Sequence, residues 1–150
     1  MLSYRHGYHA GNFADVFKHV TLVALLQALG RKDKPTHMPD THAGAGGYDL
    51  RSEVAIKNRE FETGIARVWK APNPPAVVAD YLNARYRRTP GWPAGGQPNS
   101  PPRWYPGSPR IAAHFLRAHD RMVLAELHSS EQPLPASRLR QGRSRNPLAR

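Results

Sequence analysis

Cysteine is absent from the 150 residues. That excludes disulfides, thiolate metal sites and thiol nucleophiles. Acidic residues are few: 11 Asp and Glu stand against 22 Lys and Arg, for a net charge of +11. Such a balance favours a polyanionic partner, because phosphate contacts release counterions; a basic soluble protein without one fits the same count. Long hydrophobic runs are also missing. The richest apolar stretch, residues 20–29, is interrupted by Thr21 and Gln27 and is too short to span a bilayer. Residues 1–9 are polar and aromatic, without the basic start and apolar stretch of a signal peptide. The expectation is a cytoplasmic monomer that engages no membrane, with chain enough for one core.

Proline (15) and glycine (12) are abundant and unevenly spread, and they mark out the chain. Residues 4–11 show neither helical nor strand period and read as an ordered arm. Asn12 is a good helix cap. Phe13, Val16, Phe17, Val20, Val23, Ala24 and Leu26 then keep helical spacing up to a stop at Gly30. This predicts a helix over 13–29 whose apolar face packs on something, most simply a sheet. Residues 36–39 predict a strand running into a glycine turn, although Pro39 is unwelcome in a central strand. Residues 60–70 and 76–87 read as helices, the second capped by Asn73 ahead of Pro74 and Pro75. Residues 89–102, with five Pro and three Gly, read as a loop. Ser108-Pro109 reads as a cap and first-turn proline opening a helix through about His119. Residues 122–127 predict a strand. From Ser129 the chain has five Arg, three Pro and no aromatic residue, and reads as disordered.

Three constellations could carry chemistry. Asp40-Thr41-His42-Ala43-Gly44-Ala45-Gly46-Gly47 is a glycine turn of the kind that lets backbone approach a nucleotide. Asp40, Gly44 and Gly46 fit an acid-x-Gly-x-Gly-x-Gly pattern, with His42 at the first glycine position; an ordinary turn has the same look. Glu126, at the end of the last predicted strand, could accept two ribose hydroxyls. It lies much further on than the roughly 20 residues usual for that role, so an insertion must intervene. Tyr4-Arg5-His6-Gly7-Tyr8-His9, followed by Lys18-His19, offers phosphate contacts, stacking faces and imidazoles. A metal reading would group His6, His9, His37 and His42, but no carboxylate completes a zinc spacing.

Together the pieces carry a resemblance. Tyr4-Arg5-His6-x-Tyr8-His9-Ala10-Gly11-Asn12-x-Ala14-Asp15-Val16-x-Lys18-His19 closely resembles the opening of the bacterial 23S ribosomal RNA adenine-N6 methyltransferase J family. The 40–46 turn resembles that family's cofactor turn. Trp104-Tyr105-Pro106-Gly107-Ser108-Pro109 and Glu126-Leu127-His128 resemble its next signatures, in order and register to about Glu131. The resemblance implies an α/β chain, part of a Rossmann-like class I methyltransferase fold with a small helical insertion. It divides into arm, first helix and cofactor turn (1–47), insertion with Pro/Gly-rich loop (48–103), second part of the core (104–131) and Arg-rich tail (132–150). It implies that His19, His42, Ser108 and Glu126 contact S-adenosylmethionine, with Lys18, Gly44 and Gly46 beside it. It also implies that Tyr4 and His6 lie at the adenine site, and that 23S rRNA is the partner.

The sequence departs from the family in three places, one of them Pro39, which stands where the family has an apolar strand residue. No Asp-Pro-Pro-Tyr occurs in it, so the family's catalytic Asp has no counterpart and no catalytic residue is assigned. The tail leaves the pattern near Glu131, as an out-of-frame reading or a misplaced gene end would. With two core strands and an uncovered helix face, the chain alone is expected to be poorly stable and inactive. A non-catalytic basic RNA-binding fragment is the competing reading, and a His-based metal protein ranks behind it.

Overall fold

The computed structural model describes residues 4–86 and 103–128, with backbone only for 84–86. The expected 89–102 loop and the disordered tail lie outside the described residues.

The arm folds back through a 3-10 turn, His6–Tyr8, and leads into helix α1, Phe13–Gly30. Asn12 caps α1 as expected, its side-chain oxygen accepting from Asp15 N at 2.9 Å. The helix presents Val16, His19, Val23 and Leu26 to the core, whereas Phe13 and Phe17 lie about three-quarters exposed on the other side (73% and 74%). The apolar face therefore differs from the one the spacing suggested. Gly30 is no left-handed stop either: it is the last helical residue, and Arg31 follows with φ −70°. By length and composition alone α1 could cross a membrane, being longer than the 20–29 run. One face of it enters the core and holds the buried polar side chains Asp15 and His19.

Strand β1, His37–Asp40, is joined much later by β4, Arg121–Leu124. The two run parallel, with Met38 opposite Met122 and Asp40 opposite Leu124. Arg121 N donates to Thr36 O and Ala125 N to Asp40 O, so residues 36, 38 and 40 turn their backbone toward β4. Pro39 falls between them, with its missing N–H on the other edge, and this explains how a proline sits within the strand. Asp120 sets the start of the pair. Its carboxylate accepts from Thr36 N at 2.8 Å and from the Arg117 guanidinium, whose own N–H groups reach Lys32 O and Lys34 O.

Between these strands come β2 (Gly47–Asp49), α2 (Glu53–Asn58), α3 (Ile65–Lys70), α4 (Ala76–Tyr86), β3 (Trp104–Pro106) and α5 (Ser108–Phe115). The antiparallel β2–β3 pair, with Tyr48 opposite Tyr105, and helix α2 were not expected. The predicted 60–70 helix is a 3-10 turn, Glu60–Glu62, followed by α3, because Gly64 breaks it. Asn73 does not cap α4: it has φ 51°, and Pro75 O accepts the first helical N–H groups, from Val78 and Ala79. Helix α5 ends at Phe115, short of His119. Its cap is Gly107, one residue before the expected Ser108.

Helix α1 packs mainly on α4 and α5, with His19 stacking on a sheet residue, Tyr105 of β3. Val23, Ile65, Trp69, Tyr81, Tyr105 and Ile111 form the centre of this core. Gly64 is where the insertion meets the arm. Ile65 N donates to Gly11 O at 2.9 Å, and a Cβ at Gly64 would land on the Gly11 carbonyl oxygen and the Asn12 backbone. Gly64→Ala is thus expected to lower stability by about 3 kcal/mol in a urea titration, since rigid backbone must move. In contrast, Phe13→Ser with Phe17→Ser removes exposed apolar surface. The double variant should change unfolding stability by less than about 0.5 kcal/mol yet reduce self-association in light scattering.

Candidate functional site

A cleft of about 560 Å³ opens where β1 and β4 end, between α1, the 41–44 turn, the start of α5 and residues 126–128. The carboxyl ends of parallel strands are where open α/β sheets bind ligands, and the volume suits a nucleoside-sized molecule. The strand pairing continues into the walls. Ala43 N donates to Ala125 O at 3.1 Å, and Gly44 N donates to Glu126 Oε2 at 2.8 Å. His128 N donates to the other oxygen, Oε1, at 2.7 Å. These backbone N–H groups, His128 first, hold the Glu126 carboxyl below its ordinary range against the opposing effect of burial. A carboxylate offers about four lone-pair sites, so Glu126 retains acceptor capacity for a ligand.

Asp40 joins the other two walls. Its Oδ1 accepts from His42 N at 3.2 Å and its Oδ2 from the Ser108 hydroxyl at 2.7 Å. Ser108 thus reaches across to the turn and does not cap its own helix. His42 is exposed at the cleft rim, with Nδ1 3.0 Å from the Thr41 hydroxyl. Gly44 has φ 60°, and a side chain there would strike the Tyr48 hydroxyl, so the turn requires glycine.

On the α1 side His19 is buried, with Nδ1 3.0 Å from the Tyr105 hydroxyl and its ring stacked on Tyr105. Asp15, only 2% exposed, gathers the rest. Its Oδ2 accepts from Gly11 N at 3.0 Å and lies 2.8 Å from His6 Nε2. Lys18 Nζ stands 3.3 Å from its Oδ1, and Tyr4 continues the line, its hydroxyl 2.8 Å from His6 Nδ1. Burial raises the Asp15 pKa, but the hydrogen bond and charge of His6, the Gly11 N–H and the charge of His19 outweigh it and hold the group at about 2.

Of the residues singled out in the sequence, Tyr4, His6, Lys18, His19, His42, Gly44, Ser108 and Glu126 all line this one cleft. Gly46 does not. Its carbonyl accepts from Gly107 N at 3.1 Å, tying the turn to the start of α5. Asp15 and Tyr105 were not singled out for the site, and Asp40 only as the acid of the glycine pattern. A signal for Asp15 did exist: an acid in the first turn of a helix, one turn before Lys18 and His19. Among the described residues no three His, Asp or Glu converge as a metal group. His6 and His9 instead face the carboxylates of Asp15 and Glu60 separately.

Fold and cleft together define an α/β protein with a cleft at the carboxyl ends of its two parallel strands. A family model described as "Ribosomal RNA large subunit methyltransferase D, RlmJ" matches residues 33–146, and the chain belongs to that family. It is 46% identical over 136 residues to ribosomal RNA large subunit methyltransferase J of Escherichia coli (strain K12), covering 89% of this chain and 45% of that one. The protein of the same description from Haemophilus influenzae is 42% identical over 134 residues, with the same coverage. A crystal structure of a Legionella pneumophila protein superposes with a TM-score of 0.68 at 40% identity, covering 82% of this chain and 42% of that one. The chain thus spans a little under half the length of these relatives.

The low pKa of Asp15 has a consequence for stability. Its folded value, about 2, lies below the ordinary 3.8. The stabilisation, roughly 2 kcal/mol, is therefore complete above about pH 4 and is lost as pH falls toward 2. Asp15→Asn should be less stable at pH 7 by about that amount and lose less on acidification. Chemical unfolding at pH 7, 4 and 2.5 measures both.

Proposed function

We propose that this chain is the S-adenosylmethionine-binding half of a Rossmann-like methyltransferase that modifies adenine N6 in 23S rRNA. The observation that carries the reading is the hydrogen bond between Gly44 N and Glu126, which joins the glycine turn and the distant acid at the mouth of one cleft. The donor set suits an adenosyl ligand. The acceptor capacity left on Glu126 beside the His128, Gly44 and Leu127 N–H groups suits a ribose hydroxyl, Gly44 lets backbone come close, and His19, His42, Lys18 and Ser108 surround the same space.

When bound, S-adenosylmethionine supplies an electrophilic methyl group. Glu126 and Ser108 hold and orient it in this reading, while Tyr4 and His6 receive a flipped adenine opposite. Alignment of the two supplies much of the rate. The chain has no Asp-Pro-Pro-Tyr to grip the exocyclic amine, so on this reading it binds cofactor without completing transfer. The net charge of +11 suits an RNA partner, and the protein acts as a cytoplasmic monomer. The same charge favours the alternative of a non-catalytic RNA-binding fragment.

Calorimetric titration separates the two. On the methyltransferase reading the chain binds S-adenosylmethionine, Glu126→Ala weakens binding by at least about tenfold, and no methyl group reaches 23S rRNA. RNA binding without cofactor binding, or cofactor affinity indifferent to Glu126→Ala, would reverse the assignment.

A further inference from the structure

The side chains of Asp15, His6 and Tyr4 form a line from the interior to the cleft, and their hydrogen-bonding capacities are unequal. An ionised carboxylate can only accept. Asp15 is buried against the Gly11 N–H with Lys18 on its other oxygen, a setting that favours its charged form. His6 Nε2, 2.8 Å from that carboxylate, must therefore carry the proton. In a neutral imidazole the other nitrogen, Nδ1, is then an acceptor. The Tyr4 hydroxyl, 2.8 Å from Nδ1, must be the donor in that contact. A phenol has one O–H, so any further hydrogen bond to the Tyr4 oxygen has to come from a donor.

We propose that Asp15 is a positioning residue that fixes His6 in its Nε2–H form and so makes the Tyr4 oxygen an acceptor that selects an amino-bearing over an oxo-bearing purine. The selectivity rests on the adenine reading of the cleft; the positioning of His6 does not. With the 6-position facing Tyr4, a 6-amino group brings an N–H to its oxygen, whereas a 6-oxo group sets oxygen against oxygen. The opposite tautomer would reverse the line: Nδ1–H would donate to Tyr4, and the phenol proton would turn outward as a donor. Asp15, which touches no ligand in this scheme, thereby decides the sign of a contact two side chains away.

Nitrogen NMR of the 150-residue chain, with His6 assigned from His6→Gln, tests the positioning without any ligand. The expected spectrum has a protonated Nε2 with a slowly exchanging proton and a bare Nδ1. Asp15→Ala should mix the two tautomers. A dominant Nδ1–H form in the unsubstituted protein overturns the proposal, as does a ring protonated at both nitrogens or an Asp15→Ala spectrum unchanged from the unsubstituted one. The unsubstituted measurement can overturn the proposal even where the variant does not fold. Binding of adenosine and inosine 5′-monophosphates, with saturating S-adenosylhomocysteine to fill the cofactor site, tests the selectivity. Preference for the amino nucleotide should be about tenfold and vanish in Tyr4→Phe. Equal binding overturns the Tyr4 contact. Failure of both nucleotides to bind, with His6 in the expected form, overturns the adenine reading instead.

Discussion

Two strands separated by 80 residues lie side by side, and their hydrogen bonds do not stop where the strands stop. Ala43 N on Ala125 O continues the ladder by one step, and Gly44 N on the Glu126 carboxylate by another. That last bond replaces a backbone acceptor with an ionised side chain, and charged acceptors make the stronger bonds. The glycine turn consequently has a fixed height above the sheet, and Glu126 a fixed direction. Asp40 carries the constraint sideways, binding His42 N with one oxygen and the Ser108 hydroxyl with the other. Both walls and the start of α5 follow from these few contacts.

The fourth wall depends on α1. The helix belongs to the core through Val16, Val23 and Leu26, yet offers Asp15, Lys18 and His19 to the cleft. His19 connects the two environments, since its partner Tyr105 is fully buried and lies 3.4 Å, hydroxyl to hydroxyl, from Tyr81. A polar chain thus runs from the cleft into the aromatic core, and its burial makes it stiff: unpartnered hydroxyls or ring nitrogens there would be costly. The short β2–β3 pair has the same purpose in the fold. It places Tyr105 beneath His19 and Tyr48 beneath the Gly44 turn.

The outer face of α1 is a different matter. Phe13, Phe17, Leu25 and Leu29 are exposed among the described residues, as are Val123 and Leu127 near the second strand. The relatives this chain matches are about twice as long. A complete cleft wall therefore coexists here with a large apolar surface, which explains why ligand binding and colloidal stability are separate questions for this chain.

Local chemistry was sufficient to read α1, its Asn12 cap, both parallel strands, the glycine turn and the acid after the last strand; the other candidate residues of the cleft came from the family resemblance. Each of the locally read features has a signal confined to a few neighbours: a repeat of apolar positions, a capping side chain, a glycine turn or an acid after an apolar run. What that chemistry could not supply was anything decided across distance. Gly47–Asp49 and Trp104–Pro106 are too short to show a strand period and become strands because each completes the other. Ser108 has the look of a cap, but its hydroxyl goes to Asp40, an acceptor 68 residues away. Phe13 and Phe17 keep helical spacing, yet which side of α1 is buried depends on where α4 and α5 lie. Asp15 looks like one polar residue among several on a helix, and only burial beside Gly11, His6 and Lys18 makes it the fixed charge of the site. Sequence spacing determined which groups could meet a ligand; folding decided which of them are held, because the energy of a buried charge or hydrogen bond depends on partners that sequence distance does not reveal.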